Sequence, residues 1–333
     1  VLFRSIVWHM NQNLTSSHHL KYLNLALVVI ALAYLAYKFN DYHQQNYGEL
    51  FLEILSKGNS SLLYLTILLV ILNYGIEAKK WQLLLSPLQQ INWFNALKSI
   101  LAGITISIFT PNRTGEVIGK VVYLDLHEKM KAALLNFSGS MAQMICTSLA
   151  GLWGTILYLN FYTFKDVDLP AIQVVYSIAI ICTACAFLIY FNQQKFFIWL
   201  SKKQWAKKIN ISFTNKQQFK TQLQVKVLLL SAFRYLVFST QLVLLLNFCG
   251  ISASSFQLYL LSTVFFMVMW FLPSFALTEL GVRGSIAVFL FQNVSDNFSG
   301  ALLAVVLLWM INVALPALLG CFYVFNLTGK KST

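Results

Sequence analysis

Charged side chains are scarce in this chain. Asp, Glu, Lys and Arg make up 11% of its 333 residues, against 58% hydrophobic. Soluble domains carry roughly a quarter charged residues, so a soluble fold is excluded. Histidine is also scarce, and all five (His9, His18, His19, His43, His127) fall outside the long apolar runs, which argues against His-based acid–base chemistry. Cys146, Cys182, Cys185, Cys249 and Cys321 all lie in or at the ends of apolar stretches. Cys182 and Cys185 form a CxxC without a nearby His or second pair, so they read as small packing residues rather than a metal or redox site. No HExxH, phosphate-cradling P-loop, GxSxG or nucleophile–base–orienter set is present. No metal, cofactor or catalytic residue is therefore expected.

The net charge of +13 raises nucleic acid as a partner, but its distribution argues otherwise. Eight lysines and no acids lie between Asn192 and Lys226. Loop lysines on one side of a membrane are a topology signal, and contact with anionic headgroups is compatible with that role.

What remains is a series of apolar runs, several near the roughly 20 residues that cross a bilayer as a helix. The expected spans are Leu23–Phe39, Leu62–Gly75, Ala133–Leu159, Ala171–Phe191, Val227–Phe248 and Leu302–Phe325, with Pro316 kinking the last. Glu77, Lys79, Lys80 and Trp81 read as the interface at the end of the second. Two further runs, Ala96–Thr110 and Leu258–Leu272, each stop at a proline. The sequence places an amphipathic piece at Val117–Leu126 after the first, and Lys120, Asp125, His127 and Glu128 read as a solvated face, with the lining of a cytoplasmic mouth as the alternative. Gln143 and Gln241 lie within spans as helix–helix glue, and the aromatics read mostly as lipid-facing or interfacial.

Charge assigns sides. The lysine loop, Lys79/Lys80 and the Lys330/Lys331 tail are expected inside, and the acidic loops at 40–60, 160–170 and 293–299 outside. Residues 96–131 then begin and end inside, and residues 256–299 begin and end outside. The expected fold is an all-α polytopic membrane protein of about six full spans plus two re-entrant helical hairpins in an inverted repeat. Counting each hairpin as two short spans gives ten crossings with the same sidedness. The domain layout is a cytoplasmic tail at 1–20, a membrane domain at 21–328 with halves of about 21–160 and 171–328, and a cytoplasmic tail at 329–333. Val1 is not a start residue; Val1–His9 reads as upstream translation and Met10 as the start, with no cleavable signal pattern.

Two polar signatures sit at the broken runs. The first is Thr110-Pro111-Asn112-Arg113-Thr114-Gly115-Glu116; the second runs from Pro273 through Ser274, Thr278, Glu279 and Gly281 to Arg283 and Gly284. Pro111 and Pro273 end the helices. Gly115, Gly281 and Gly284 permit turns or close approach. Charge at membrane depth is costly and marks a functional site by default. Arg113 and Arg283 suit a phosphate, with Glu116 and Glu279 holding them in place. Glu279 and Arg283 share a helical face, and Ser274 or Thr278 caps it. Asn112, Lys120 and Arg234 are secondary candidates, Arg234 as a residue that snorkels or meets a carboxylate of the first hairpin. The competing reading is that these charges pair with one another and only close the hairpins.

The TPNRTGE segment resembles the P-x-R-x-G-E motif of the lysylphosphatidylglycerol synthase transmembrane region family, also called flippase-like. LPSFALTELGVRGS resembles its second motif, and the likeness in order and spacing covers roughly residues 20–328. Gly284 stands where the family usually has Glu, and Glu279 stands near a usual glycine. The resemblance implies a bacterial or archaeal inner-membrane protein with cytoplasmic termini. Long members join this region to a soluble aminoacyl-transferase domain. The chain ends at Thr333, so lysyl transfer is not expected. The implied function is translocation of a phospholipid or a polyprenyl-phosphate-linked headgroup. The implied partners are an anionic or polyprenyl-phosphate lipid and an envelope-biosynthesis enzyme. The alternative is a membrane enzyme or accessory protein of lipid-linked glycan or aminoacyl-lipid synthesis.

Overall fold

The computed structural model describes residues 53–54, 56, 58–108, 110, 114–122, 124, 129–161, 169–201, 220–272 and 276–329. The expected span Leu23–Phe39, both chain ends and residues 202–219 of the lysine loop lie outside them. Every regular element among the described residues is helical. In chain order these are α1 (Ser60–Leu85), α2 (Trp93–Ile108), α3 (Gly115–Val122), α4 (Lys129–Phe161), α5 (Leu169–Phe191) and α6 (Gln193–Ser201). There follow α7 (Thr221–Phe248), α8 (Ser255–Phe271), α9 (Ala276–Phe291), α10 (Phe298–Trp309), a π-helical turn (Met310–Ala314) and α11 (Leu315–Gly329).

Local chemistry sets many of the ends. The Asn59 side chain accepts from the Ser61 amide to start α1, and Pro87 follows its C-cap Ser86, where a proline cannot extend the helix. Gly250, at φ +78°, ends α7 in the left-handed conformation that costs glycine least. Ser254 and Gln257 form a reciprocal capping box for α8, as the S-x-x-Q spacing allows. Asn297 caps α10 by accepting from the Gly300 amide, and it donates to the carbonyl of Cys249 at 3.0 Å, which joins the start of α10 to the end of α7.

Helices α1, α4 and α7 and the α10–α11 unit are each long and apolar enough to cross a membrane. Helix α5 bends by 83° into α6, which the sequence reading ran together with the loop. Contacts fix the relative directions. The end of α1 (Ser86, Pro87) shares a groove with the start of α7 (Lys220, Lys226), while Gly58, before α1, meets Phe248 at the end of α7. The pair is therefore antiparallel. Gln224 of α7 bonds Tyr190 at the end of α5, and Asn293, after α9, bonds Tyr158 at the end of α4. The helix pair α2–α3 starts beside the end of α1, with Gln82 bonding the Ile91 carbonyl. The pair α8–α9 starts beside the opposite end of α7 and returns to the end of α4.

Two apolar cores result. One joins the second half of α7 to α8, α9 and α10; the other joins α1, α2, α3, α4 and α5 to the start of α11. Trp81, Tyr190, Phe197, Phe265 and Phe291 are fully buried, while other aromatics, among them Tyr64, Phe94, Trp153 and Phe322, are exposed on the outer surface. Cys182 and Cys185 are exposed on α5 rather than packed. The two glutamines do act as glue: Gln143 donates to the Ser231 carbonyl and Gln241 to the Thr66 carbonyl.

Helices α2 and α3 fold against each other at nearly backbone contact. A Cβ on Gly119 would lie 2.3 Å from the backbone of Gly103, and one on Gly115 2.7 Å from the Ile106 carbonyl. Overpacking of this kind costs about 1–3 kcal/mol. Gly119→Ala is therefore expected to lower the thermal stability of the detergent-solubilised protein by about that amount. Gly75→Ala, whose Cβ would meet only Trp93 at 3.6 Å, is expected to be neutral or stabilising in the same melt.

Candidate functional site

Three cations, two of them buried, converge on one buried carboxylate. Glu77 of α1 has its side chain 6% exposed, and its Oε1 accepts from Lys120 Nζ of α3 at 2.9 Å. Its Oε2 lies 2.6 Å from Lys80 Nζ and 3.1 Å from Arg234 Nη1 of α7, ion pairs that are not aligned as hydrogen bonds. Lys120 also meets Glu116 Oε1 at 2.7 Å, one turn earlier on α3, and donates to Asn136 Oδ1 of α4 at 3.0 Å. Its ammonium stands 5.7 Å from the centre of the Trp81 ring. Four helices thus meet at five ionic side chains.

Asparagines extend the network. Arg234 Nε donates to Asn73 Oδ1 at 2.8 Å, and Asn73 Nδ2 donates to Asn312 Oδ1 at 3.0 Å. Asn312 sits in the π-helical turn, four residues before Pro316. Proline has no N–H, so the Asn312 carbonyl loses its usual intrahelical donor. The Tyr74 hydroxyl donates to that carbonyl instead. The sequence reading expected a kink at Pro316; the chain widens into a π turn there, and the freed carbonyl is taken up by α1.

Beside this network lies a cavity of about 280 Å³ where the two cores meet. Its charged wall is Glu77, Glu116, Arg234 and Arg283. Its apolar wall includes Ile104 from one core and Phe266 and Leu308 from the other. Gln143 and Trp309 also line it, and the Gln143 Oε1 and Trp309 Nε1 atoms are buried without a hydrogen-bond partner. A buried donor or acceptor left this way costs about 1–3 kcal/mol unless something polar enters.

A family model described as lysylphosphatidylglycerol synthase TM region matches residues 21–320. The chain belongs to that family. No curated protein matches it. As a lysylphosphatidylglycerol synthase TM region protein, it is a multi-pass membrane protein linked to lipid biosynthesis or transport.

Within this family member, the residues expected from sequence divide into three groups. Glu116, Lys120, Arg234 and Arg283 come together at the cavity or directly behind it. Arg234 meets a carboxylate of α1, Glu77, and not one of the first hairpin as expected, where Glu116 pairs with Lys120. Lys120 was placed on a solvated face, yet its side chain is 3% exposed: an ion pair on each side offsets its burial. Gly281 and Gly284 lie inside α9 and not at a turn, because the helix starts upstream at Ala276. Thr278 and Glu279 are also within α9, with their side chains outside the described set. Pro111, Asn112, Arg113, Pro273 and Ser274 fall outside the described residues.

Sequence reasoning missed Glu77, Lys80, Asn73, Asn136 and Asn312. The Glu77–Lys80 stretch was taken for an interface, but α1 runs on to Leu85 and only Lys79 faces outward. The signal was present in Trp81 and Leu83–Leu85, an apolar turn beyond the charges. Removing one partner of a buried charge cluster costs about 3–5 kcal/mol. Glu77→Gln is expected to destabilise the protein by about that much in a thermal melt. Lys79→Gln, at an exposed position, is expected to stay within about 0.5 kcal/mol.

Proposed function

We propose that this protein translocates lipid headgroups across the bilayer, receiving each headgroup in the cavity where the two cores meet. The observation that carries the reading is a charged cavity enclosed by helices of both halves in a chain whose outer surface is apolar. Side chains such as Ile71, Trp153, Ile181, Leu229 and Phe322 are exposed, as a lipid-facing surface requires. At about 280 Å³ the cavity is near the small end of ligand sites. It has room for a phospholipid or polyprenyl-phosphate-linked headgroup, while the acyl or prenyl chains stay in the membrane. The ionic side chains are tied into mutual pairs, an arrangement suited to binding rather than to covalent chemistry.

The packing supports an inverted repeat. Helix α2 of the first half packs on α11 of the second, with Thr105 donating to the Ala317 carbonyl at 2.8 Å. Helix α8 of the second half packs on α4 of the first, where Gly151 admits Met267 and Gly154 admits Thr263. Each half lends its broken pair to the other half's last span, and α1 and α7 pair at the centre. On this reading α2–α3 and α8–α9 are re-entrant hairpins entering from opposite faces, as transporter binding sites are built. The lysine-bearing face and both termini are cytoplasmic, the membrane is a bacterial inner membrane, and an envelope-biosynthesis enzyme supplies or consumes the lipid.

The test is reconstitution of the purified chain in liposomes with an acyl-labelled phosphatidylglycerol or polyprenyl phosphate, following the label's transfer between leaflets. Wild-type protein is expected to exceed protein-free vesicles. Arg283→Ala is expected to slow transfer roughly tenfold, the loss of a charged hydrogen bond, while retaining a normal melt. A folded Arg283→Ala protein with wild-type transfer would overturn the reading.

A further inference from the structure

We infer that the cavity selects lipids whose only ionic headgroup is phosphate and rejects headgroups that carry an ammonium, including the lysyl headgroup in the family's name. The inference rests on the transport reading for its purpose, but its geometry concerns binding alone.

Charge balance is the first argument. The buried cluster holds three cations, Lys80, Lys120 and Arg234, against two acids, Glu77 and Glu116. Among the described residues of the cluster one positive charge is in excess. Arg283 adds a further guanidinium to the lining. An entering phosphate lowers the net charge of a low-dielectric site; an entering ammonium raises it, and burying uncompensated charge is costly.

Availability is the second argument. Among the described side chains lining the cavity, the acids are Glu77 and Glu116, and both are engaged. Glu77 holds three cations, and Glu116 holds Lys120. Turning Glu77 towards an ammonium leaves the buried Lys80 without its counter-ion, and turning Glu116 leaves Lys120 sharing Glu77 with two other cations, costs that offset the new pair. Donors, in contrast, are available. Arg234 uses Nε on Asn73 and Nη1 on Glu77, so Nη2 has no partner among the described residues, and the side chain is 24% exposed at the cavity. The Trp309 indole N–H is unpartnered on the same lining. A guanidinium and an indole donor suit phosphate oxygens. The unpartnered Gln143 Oε1 accepts a glycerol or sugar hydroxyl, but as a neutral group it cannot balance an ammonium.

The shared chemistry is therefore a lipid phosphate without an ammonium, either the phosphodiester of a diacyl lipid or the phosphate of a polyprenyl chain. The test is lipid binding to the full chain in a non-ionic detergent, read by native mass spectrometry. The probes are phosphatidylglycerol, polyprenyl phosphate, phosphatidylethanolamine and lysylphosphatidylglycerol. At least one of the first two is expected to bind about tenfold more tightly than either of the last two, and the tighter of them identifies the source. Arg234→Gln is expected to erase that preference while leaving phosphatidylethanolamine unchanged. Trp309→Phe, which keeps the ring and removes the N–H, is expected to weaken only the phosphate-only lipids, and it serves where Arg234→Gln does not fold. Lysylphosphatidylglycerol binding as tightly as phosphatidylglycerol, a preference that both folded variants retain, or no lipid binding at all would overturn the inference. Selective binding without transfer between leaflets would sink the transport reading and leave this one standing. Efficient transfer of the lysyl lipid would do the reverse.

Discussion

One carboxylate organises the interior. Glu77 is the point at which α1, α3 and α7 are tied together, and through Lys120 and Asn136 it reaches α4. Without it Lys80 and Arg234 would be uncompensated charges and Lys120 would keep only Glu116, and each of the three comes from a position that sequence alone leaves ambiguous. Buried charge is weak evidence for net stability, because desolvation offsets much of the attraction. What it adds is a geometric requirement: three cations from three helices must meet one carboxylate at once. The apolar cores fill the space around that arrangement, but leucine and isoleucine surfaces have many acceptable registers, whereas an ion cluster has few.

The hairpin helices gain their positions from the same constraint. Helix α3 is only eight residues long, too short to be stable alone. Gly103 and Gly119 bring it against α2, and Lys120 anchors it to α1 and α4. A short helix held by one ionic residue and one close backbone contact places Glu116 at the cavity wall with little freedom.

Much of this was legible in the sequence, and the physical reasons divide cleanly. Proline and glycine punctuate helices through local sterics, so the breaks after Ile108 and Phe271 could be read from Pro111 and Pro273. Glutamines inside apolar runs need partners, so Gln143 and Gln241 were readable as interhelical donors. The ion cluster was not readable, because it depends on where distant helices cross. Lys79 and Lys80 are the same residue type side by side, yet one faces outward and the other pairs with Glu77. Only a helix phase, fixed by the continuation of α1 to Leu85, separates them. Of the two roles open to Gly281 and Gly284, a turn or a close approach, the turn does not hold, since both lie within α9. The 83° bend between α5 and α6 falls at Asn192 without proline or glycine, and so left no local mark.

Pro316 carries a different lesson. Its missing N–H takes one intrahelical donor from the last helices, and Tyr74 of α1 donates to the Asn312 carbonyl that loses it. In a bilayer, no water is at hand to do so. The same dependence runs the other way, since Asn73 bonds Asn312 across the same junction. The junction between α1 and the last two helices is therefore mutual: each side supplies a partner for a polar group that lipid could not satisfy.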